Sequence, residues 1–150
     1  MKYSQTCLKL IKKTRKLYLE KTKLWNNYNY IGYSHICTKE VSSLEVISKK
    51  EASSLLIKDL EKISKNLNKH LLVDLNQNQF DSLVSLIYDI GIKRLITDEM
   101  FELINKGKLT EASLCFNKFN RYKKQPIYRL IKTRKEEQKL WLMPIEDINE

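Results

Sequence analysis

Residues 75–91 read Leu75-Asn76-Gln77-Asn78-Gln79-Phe80-Asp81-Ser82-Leu83-Val84-Ser85-Leu86-Ile87-Tyr88-Asp89-Ile90-Gly91. Asn76 is an N-cap and Gln79 its capping-box partner. Leu75 and Phe80 have the spacing of a hydrophobic staple, which fixes how the chain enters a helix. Phe80, Leu83, Val84 and Ile87 form one apolar stripe at helical spacing. Gly91 fits the C′ position that stops such a helix. The apolar content predicts a central, buried helix.

Upstream, Ser48 with Glu51 is a second capping box. Ala52, Leu55, Leu56, Leu60, Ile63 and Leu67 then predict a long amphipathic helix to about residue 69, with Lys58, Glu61, Lys65 and Lys69 on its solvated face. Residues 19–47 are rich in Tyr, Asn, Gly, Ser, Thr and Val, and predict a small antiparallel sheet centred on Tyr30-Ile31-Gly32-Tyr33. Residues 4–18 carry Leu8, Ile11 and Leu17 or Tyr18 at helical spacing and predict an N-terminal helix within residues 1–18. Downstream, Thr97 and Thr110 are read as caps of two shorter helices, the first ended by Gly107. Pro126 is read as the first turn of a final helix. Its inner face is expected to be Ile127, Leu130, Ile131 and Leu140, sealed by Trp141. Residues 143–150 are expected to form a loose tail.

The chain has 150 residues, three Gly and two Pro. That scarcity favours long helices over a sandwich or barrel. The fold class expected is α+β, mainly α. Residues 1–150 are expected to form a single unit: helix, small sheet, then a helical lobe over 48–142 around the central helix. Net charge is +10, which draws polyanions such as nucleic acid, anionic membrane or cell wall. The basic runs Lys12-Lys13, Lys123-Lys124 and Lys132–Lys135 are too short to be targeting motifs alone. Cys7, Cys37 and Cys115 lack metal spacing and read as free thiols in a reducing compartment. A catalytic Cys with His35 or His70 has no motif behind it. No apolar run reaches a membrane span and no signal-peptide core is present, so no membrane span, metal or cofactor is expected.

Two stretches carry a resemblance. Leu75 to Ser85 with Tyr88-Asp89-Ile90-Gly91 closely resembles the signature L-x-Q-N-Q-F-D-A-L-V-S-F-x-F-N-x-G of phage-type lysozymes, the endolysin muramidases of glycoside hydrolase family 24. Ile31-Gly32-Tyr33-Ser34-His35 is similar to the family's T-I-G-Y-G-H. Leu10-Ile11-Lys12, Ile47 to Leu60, Asn105-Lys106-Gly107, Phe119-Asn120-Arg121 and Leu130 to Glu137 follow further family segments. The resemblance spans about residues 7–142 and implies the phage lysozyme fold, with peptidoglycan as the family's substrate.

The resemblance also implies where catalytic groups belong. The family motif E-G-x-x-L-x-A-Y-x-D-x-x-G-x-W-T-I-G-Y-G-H aligns without a gap between the Leu10-Ile11-Lys12 and Ile31–His35 anchors. The general-acid Glu then falls on Arg15, the Asp on Leu24 and the Thr on Tyr30. The family's Gly after the acid falls on Lys16, and its Tyr, next Gly and Trp on Thr22, Asn27 and Asn29. Glycoside hydrolysis needs a proton donor at the leaving oxygen and a carboxylate near the oxocarbenium-like transition state. Guanidinium stays protonated and cannot be that donor. Losing general acid catalysis alone costs roughly 10²–10⁴-fold. A catalytically inactive protein is therefore expected, with Arg15, Tyr30, His35 and Arg121 as candidate binding residues. Glu20, and Glu40 and Glu45 beyond the hairpin, are the nearby acids, but placing Glu20 in the acid's role breaks the spacing to Gly32-Tyr33. His35 is expected to be a structural histidine held by a carboxylate.

Three functions follow as expectations: a pseudoenzyme that binds peptidoglycan or a protein partner, a basic structural module of a nucleic-acid-containing particle, or a divergent active muramidase.

Overall fold

In a computed structural model, residues 1–37 and 46–145 are described. Ser4 caps helix α1 (Gln5–Thr14), its hydroxyl accepting from the Thr6 N–H. The helix ends at Thr14, short of the expected residue 18. Arg15 is already extended, with φ −115° and ψ 138°, and Tyr18 opens a strand. Strands β1 (Tyr18–Lys23), β2 (Asn29–Gly32) and β3 (His35–Ile36) form an antiparallel sheet in that order. Thr22 pairs with Tyr30, and Ile31 with His35. Glu40 and Glu45 lie outside the described residues.

The two capping boxes form as expected. Ser48 caps α2 (Lys49–His70) and Asn76 caps α3 (Gln77–Ile90), with both reciprocal hydrogen bonds made in each. Helix α3 is the centre of the molecule, with every residue from Phe80 to Ile87 buried. Leu75 and Phe80 share its core. The start of α1 is tied to it: the Ser4 N–H donates to Asp81 Oδ1 at 2.9 Å, and the Ser4 hydroxyl donates to Oδ2 of the same carboxylate.

Several C-terminal expectations need correction. Gly91 ends α3 but also precedes a further short helix, α4 (Ile92–Ile96). Thr97 is not a cap; its hydroxyl donates back to the Lys93 carbonyl. Asp98 caps α5 (Glu99–Asn105) instead, its carboxylate accepting from the Met100 N–H at 2.9 Å. Thr110 lies inside α6 (Leu109–Ser113), which has no side-chain cap and runs into a 3₁₀ turn, Leu114–Lys118. Pro126 does not open the last helix. It pairs with Arg121 across an unanticipated hairpin, β4 (Arg121–Tyr122) and β5 (Gln125–Pro126). Helix α7 (Tyr128–Leu142) follows, packed on α3, the 3₁₀ turn and α1.

Buried positions of α7 are Thr133, Arg134, Glu137, Leu140 and Trp141, while Leu130 and Ile131 are only half-buried. Two of its five buried residues are thus charged, and Ile127, expected on the inner face, is half-buried as well. Trp141 does seal the end, its indole N–H donating to the Leu109 carbonyl at 3.0 Å. Among the described residues, no helix is long and apolar enough to cross a membrane. Cys7, Cys37 and Cys115 are free thiols. Burial raises the pKa of all three, which disfavours a thiolate nucleophile.

Candidate active site

Arg15 stands at the C-terminal cap of α1, and its side chain turns fully into the protein. There it lies between α3 and α7. One Nη donates to Ser85 Oγ at 2.9 Å and to Thr14 Oγ1 at 2.8 Å. The other donates to the Ser85 carbonyl at 2.7 Å and sits 3.0 Å from Asp89 Oδ2. Tyr88 lies beneath the guanidinium, 5.5 Å from ring centre to Cζ.

Asp89 is the hub. Arg134 reaches it at 2.5 Å and Arg129 at 3.2 Å, so three guanidinium groups converge on one carboxylate. Burial alone would raise the Asp89 pKa. Arg15, then Arg134 and Arg129, outweigh that and hold it well below the ordinary carboxylate range. Glu137 is the second acid, 2.5 Å from Arg134 Nε and 3.6 Å from Arg15, and accepts from the Ser85 hydroxyl at 2.5 Å. Its burial raises its pKa, with Arg134 and Arg15 pulling the other way. The Glu137 side chain is wholly buried. An acid held there cannot meet a glycosidic oxygen, whatever its pKa.

The remaining candidates separate. Leu24 is half-buried and starts the tight turn joining β1 to β2, its N–H donating to the Tyr28 carbonyl at 3.1 Å. Tyr30 is half-buried on β2, and its hydroxyl accepts from the Asn26 amide at 2.7 Å. Glu20 is exposed on β1, where its backbone bridges Val46. His35 Nδ1 lies 2.5 Å from Asp59 Oδ2, a carboxylate-held histidine beside a cavity of about 260 Å³ between β3, α2 and α3. That cavity touches none of residues 15, 24 and 30. Arg121 is exposed on β4. The structure thus gathers none of Glu20, His35 and Arg121 around Arg15.

Four members of the cluster, Asp89, Arg129, Arg134 and Glu137, were not among the expected site residues. Asp89 was visible as a departure: the signature has Asn there. The acid that stands there lies 3.0 Å from Arg15. Arg129 carried no such signal.

Family glycines fall on Asn27, Gly32 and Ser34, and these have φ of 67°, 64° and 61°. Left-handed backbone is where glycine costs least and asparagine is the best tolerated substitute. Three positions meet the demand with only one glycine. Lys16, under the remaining glycine, lies outside that region.

The family's sequence model, Phage lysozyme, matches residues 12–137. The chain belongs to the phage lysozyme family. It is 32% identical to the endolysin of Bacillus phage PZA over 143 residues, covering 94% of this chain and 55% of the relative. It is 33% identical to the endolysin of Bacillus phage B103 over 147 residues, covering 95% and 54%. The chain therefore spans about half the length of these two relatives. Among solved structures, the muramidase domain of SpmX from Asticaccaulis excentricus is similar with a TM-score of 0.83 and 30% identity, covering 95% of this chain and 99% of that one. The architecture is accordingly the α+β, mainly helical phage lysozyme fold.

Proposed function

We propose that this member of the family, acting as one lysozyme-like unit over residues 1–150, holds peptidoglycan without cutting it. The carrying observation is the fate of residue 15. At the position of the general acid stands a permanent cation, wholly buried and saturated by Asp89, Ser85 and Glu137. It can neither donate a proton to a leaving oxygen nor reach one. The left-handed backbone at Asn27 and Ser34 supports the ungapped register that puts Arg15, Leu24 and Tyr30 at the catalytic positions. The relatives' names, endolysin and muramidase, supply the ligand class: bacterial wall glycan.

The test is purified sacculi incubated with the chain, following turbidity, released reducing ends and the protein that sediments with the wall. Sedimentation without release is expected. Restoring the family's groups through Arg15→Glu, Asp89→Asn, Leu24→Asp and Tyr30→Thr together is expected to produce measurable release. Release by the unaltered chain, abolished by Glu20→Gln, would instead assign the acid to Glu20 and overturn the reading.

A further inference from the structure

The segment that leads into α1 lies across α2 and leaves a crevice of about 500 Å³ between them, lined by none of residues 15, 24 and 30. Its outer wall is pinned. The Asn68 amide donates to the Met1 carbonyl at 2.6 Å, and the Gln77 amide to the Lys2 carbonyl at 2.8 Å. Ser4 is bound to Asp81 through both its N–H and its hydroxyl. A wall fixed this way exists before any ligand arrives, which lowers the ordering cost of binding. The volume falls within the ordinary range for small-ligand pockets, about 300–1,000 Å³.

On the α2 side stands Ser64, 4% exposed, its hydroxyl without a hydrogen-bond partner. Buried polar groups are nearly always paired, so an orphan hydroxyl lining a crevice points to a partner from outside the chain. Glu61 and Lys65 are four residues apart on α2, the order and spacing at which Glu and Lys usually pair. Among the described residues, neither they nor Lys2 forms an ion pair. All three line the crevice and are exposed. The Tyr3 hydroxyl is raised above its ordinary pKa by burial first and by the Glu61 charge second, so acid and phenol face the same space.

We propose that this crevice binds a short peptide by its two free ends. The carboxylate pairs with Lys65 and Lys2 and accepts from the Ser64 hydroxyl. The ammonium donates to Glu61. The Tyr3 ring packs against the apolar body between them. A simple anion is the poorer fit, because Glu61 stands among the cations and would repel it. The inference goes beyond the wall-binding reading: it uses none of that reading's residues, and its test needs no wall.

The test titrates alanyl-leucine into the isotopically labelled full chain and follows amide chemical shifts. Its N-acetyl and C-terminal amide forms are titrated alongside. Saturable shifts at Tyr3, Glu61 and Ser64 are expected with the free dipeptide, and weaker binding with either blocked form. Glu61→Gln should weaken the free dipeptide about threefold to fivefold and leave the N-acetyl form unaffected. Lys2→Gln/Lys65→Gln should weaken the free dipeptide by about as much and leave the C-terminal amide form unaffected. Ser64→Ala should weaken binding about tenfold, while its melting temperature stays equal or rises, because an unpartnered hydroxyl has been removed. Circular dichroism checks that each variant folds. No saturable shifts at the crevice, an N-acetyl form that binds as tightly as the free dipeptide, or binding unchanged by Ser64→Ala would each overturn the proposal.

Discussion

Helix α3 and the segment from Arg15 to His35 both carry anchors of the same family, and they have diverged in opposite ways. In α3 the side chains persist: cap, staple and apolar stripe are in place, and eight consecutive residues are buried. In the N-terminal segment the resemblance rests on spacing and backbone rather than on side chains. Asn27 and Ser34 take left-handed conformations that suit glycine, and on the ungapped reading proposed above Arg15, Leu24 and Tyr30 stand where the family's reactive groups belong. The lysozyme frame depends on the first kind of information and catalysis on reactive side chains. A chain can therefore lose one and keep the other. The two regions are also physically joined, because Arg15 is neutralised by Asp89 at the end of α3.

That joint gives the comparison its sharpest tests. If position 15 is now structural, Arg15→Ala should destabilise the protein by about 2–4 kcal/mol, through the lost packing, the lost donors to Ser85 and one fewer cation beside Asp89 and Glu137, which Arg134 and Arg129 still partner. Phe80→Ala at the heart of α3 should cost a similar amount, about 3–5 kcal/mol. Denaturant unfolding measures both, and an Arg15→Ala cost near zero would break the comparison.

The Asp89 carboxylate is held below its ordinary value of 3.8. A depressed acid contributes stability that is complete above the unfolded value and lost as pH falls toward the folded one. The stability difference between the unaltered chain and Asp89→Asn should thus be constant above about pH 5 and shrink steadily below pH 4. Unfolding curves at a series of pH values check this; a difference that grows on acidification would contradict it.

Reversing residue 15 tests the same hub by charge. Arg15→Glu alone sets three acids against Arg129 and Arg134, and Asp89→Asn removes one of them. The double-mutant cycle should show favourable coupling of about 0.5–3 kcal/mol. The smallest effect belongs to the α3 cap, where Asn76→Ala should cost about 1 kcal/mol. It leaves the Gln79 backbone N–H without its side-chain acceptor, while the Gln79 side chain still accepts from the residue 76 N–H.

What could be read from the sequence tracks how local each signal is. Capping boxes at Ser48 and Asn76 are complete within four residues, and both appear as expected. The β4–β5 hairpin was hidden because Lys123-Lys124 carries no Asn-Gly signal, and Pro126 suits a helix start as well as an edge strand. Helix α4 was hidden because Gly91 reads as a stop, whereas it both ends one helix and precedes the next. Arg134 and Glu137 look solvent-facing in a linear pattern. Only the fold brings Asp89 and Arg15 close enough to bury them. Of the candidate site, spacing gave an expectation for positions 15, 24 and 30, while the ion cluster around Arg15 was not legible. It depends on residues 74 positions apart.

The central claim is tested most directly by counting reducing ends released from purified sacculi by the unaltered chain, beside Arg15→Glu/Asp89→Asn/Leu24→Asp/Tyr30→Thr. The account predicts background release from the former, with the protein found on the wall, and a clear rise from the latter. Sustained release by the unaltered chain would contradict it.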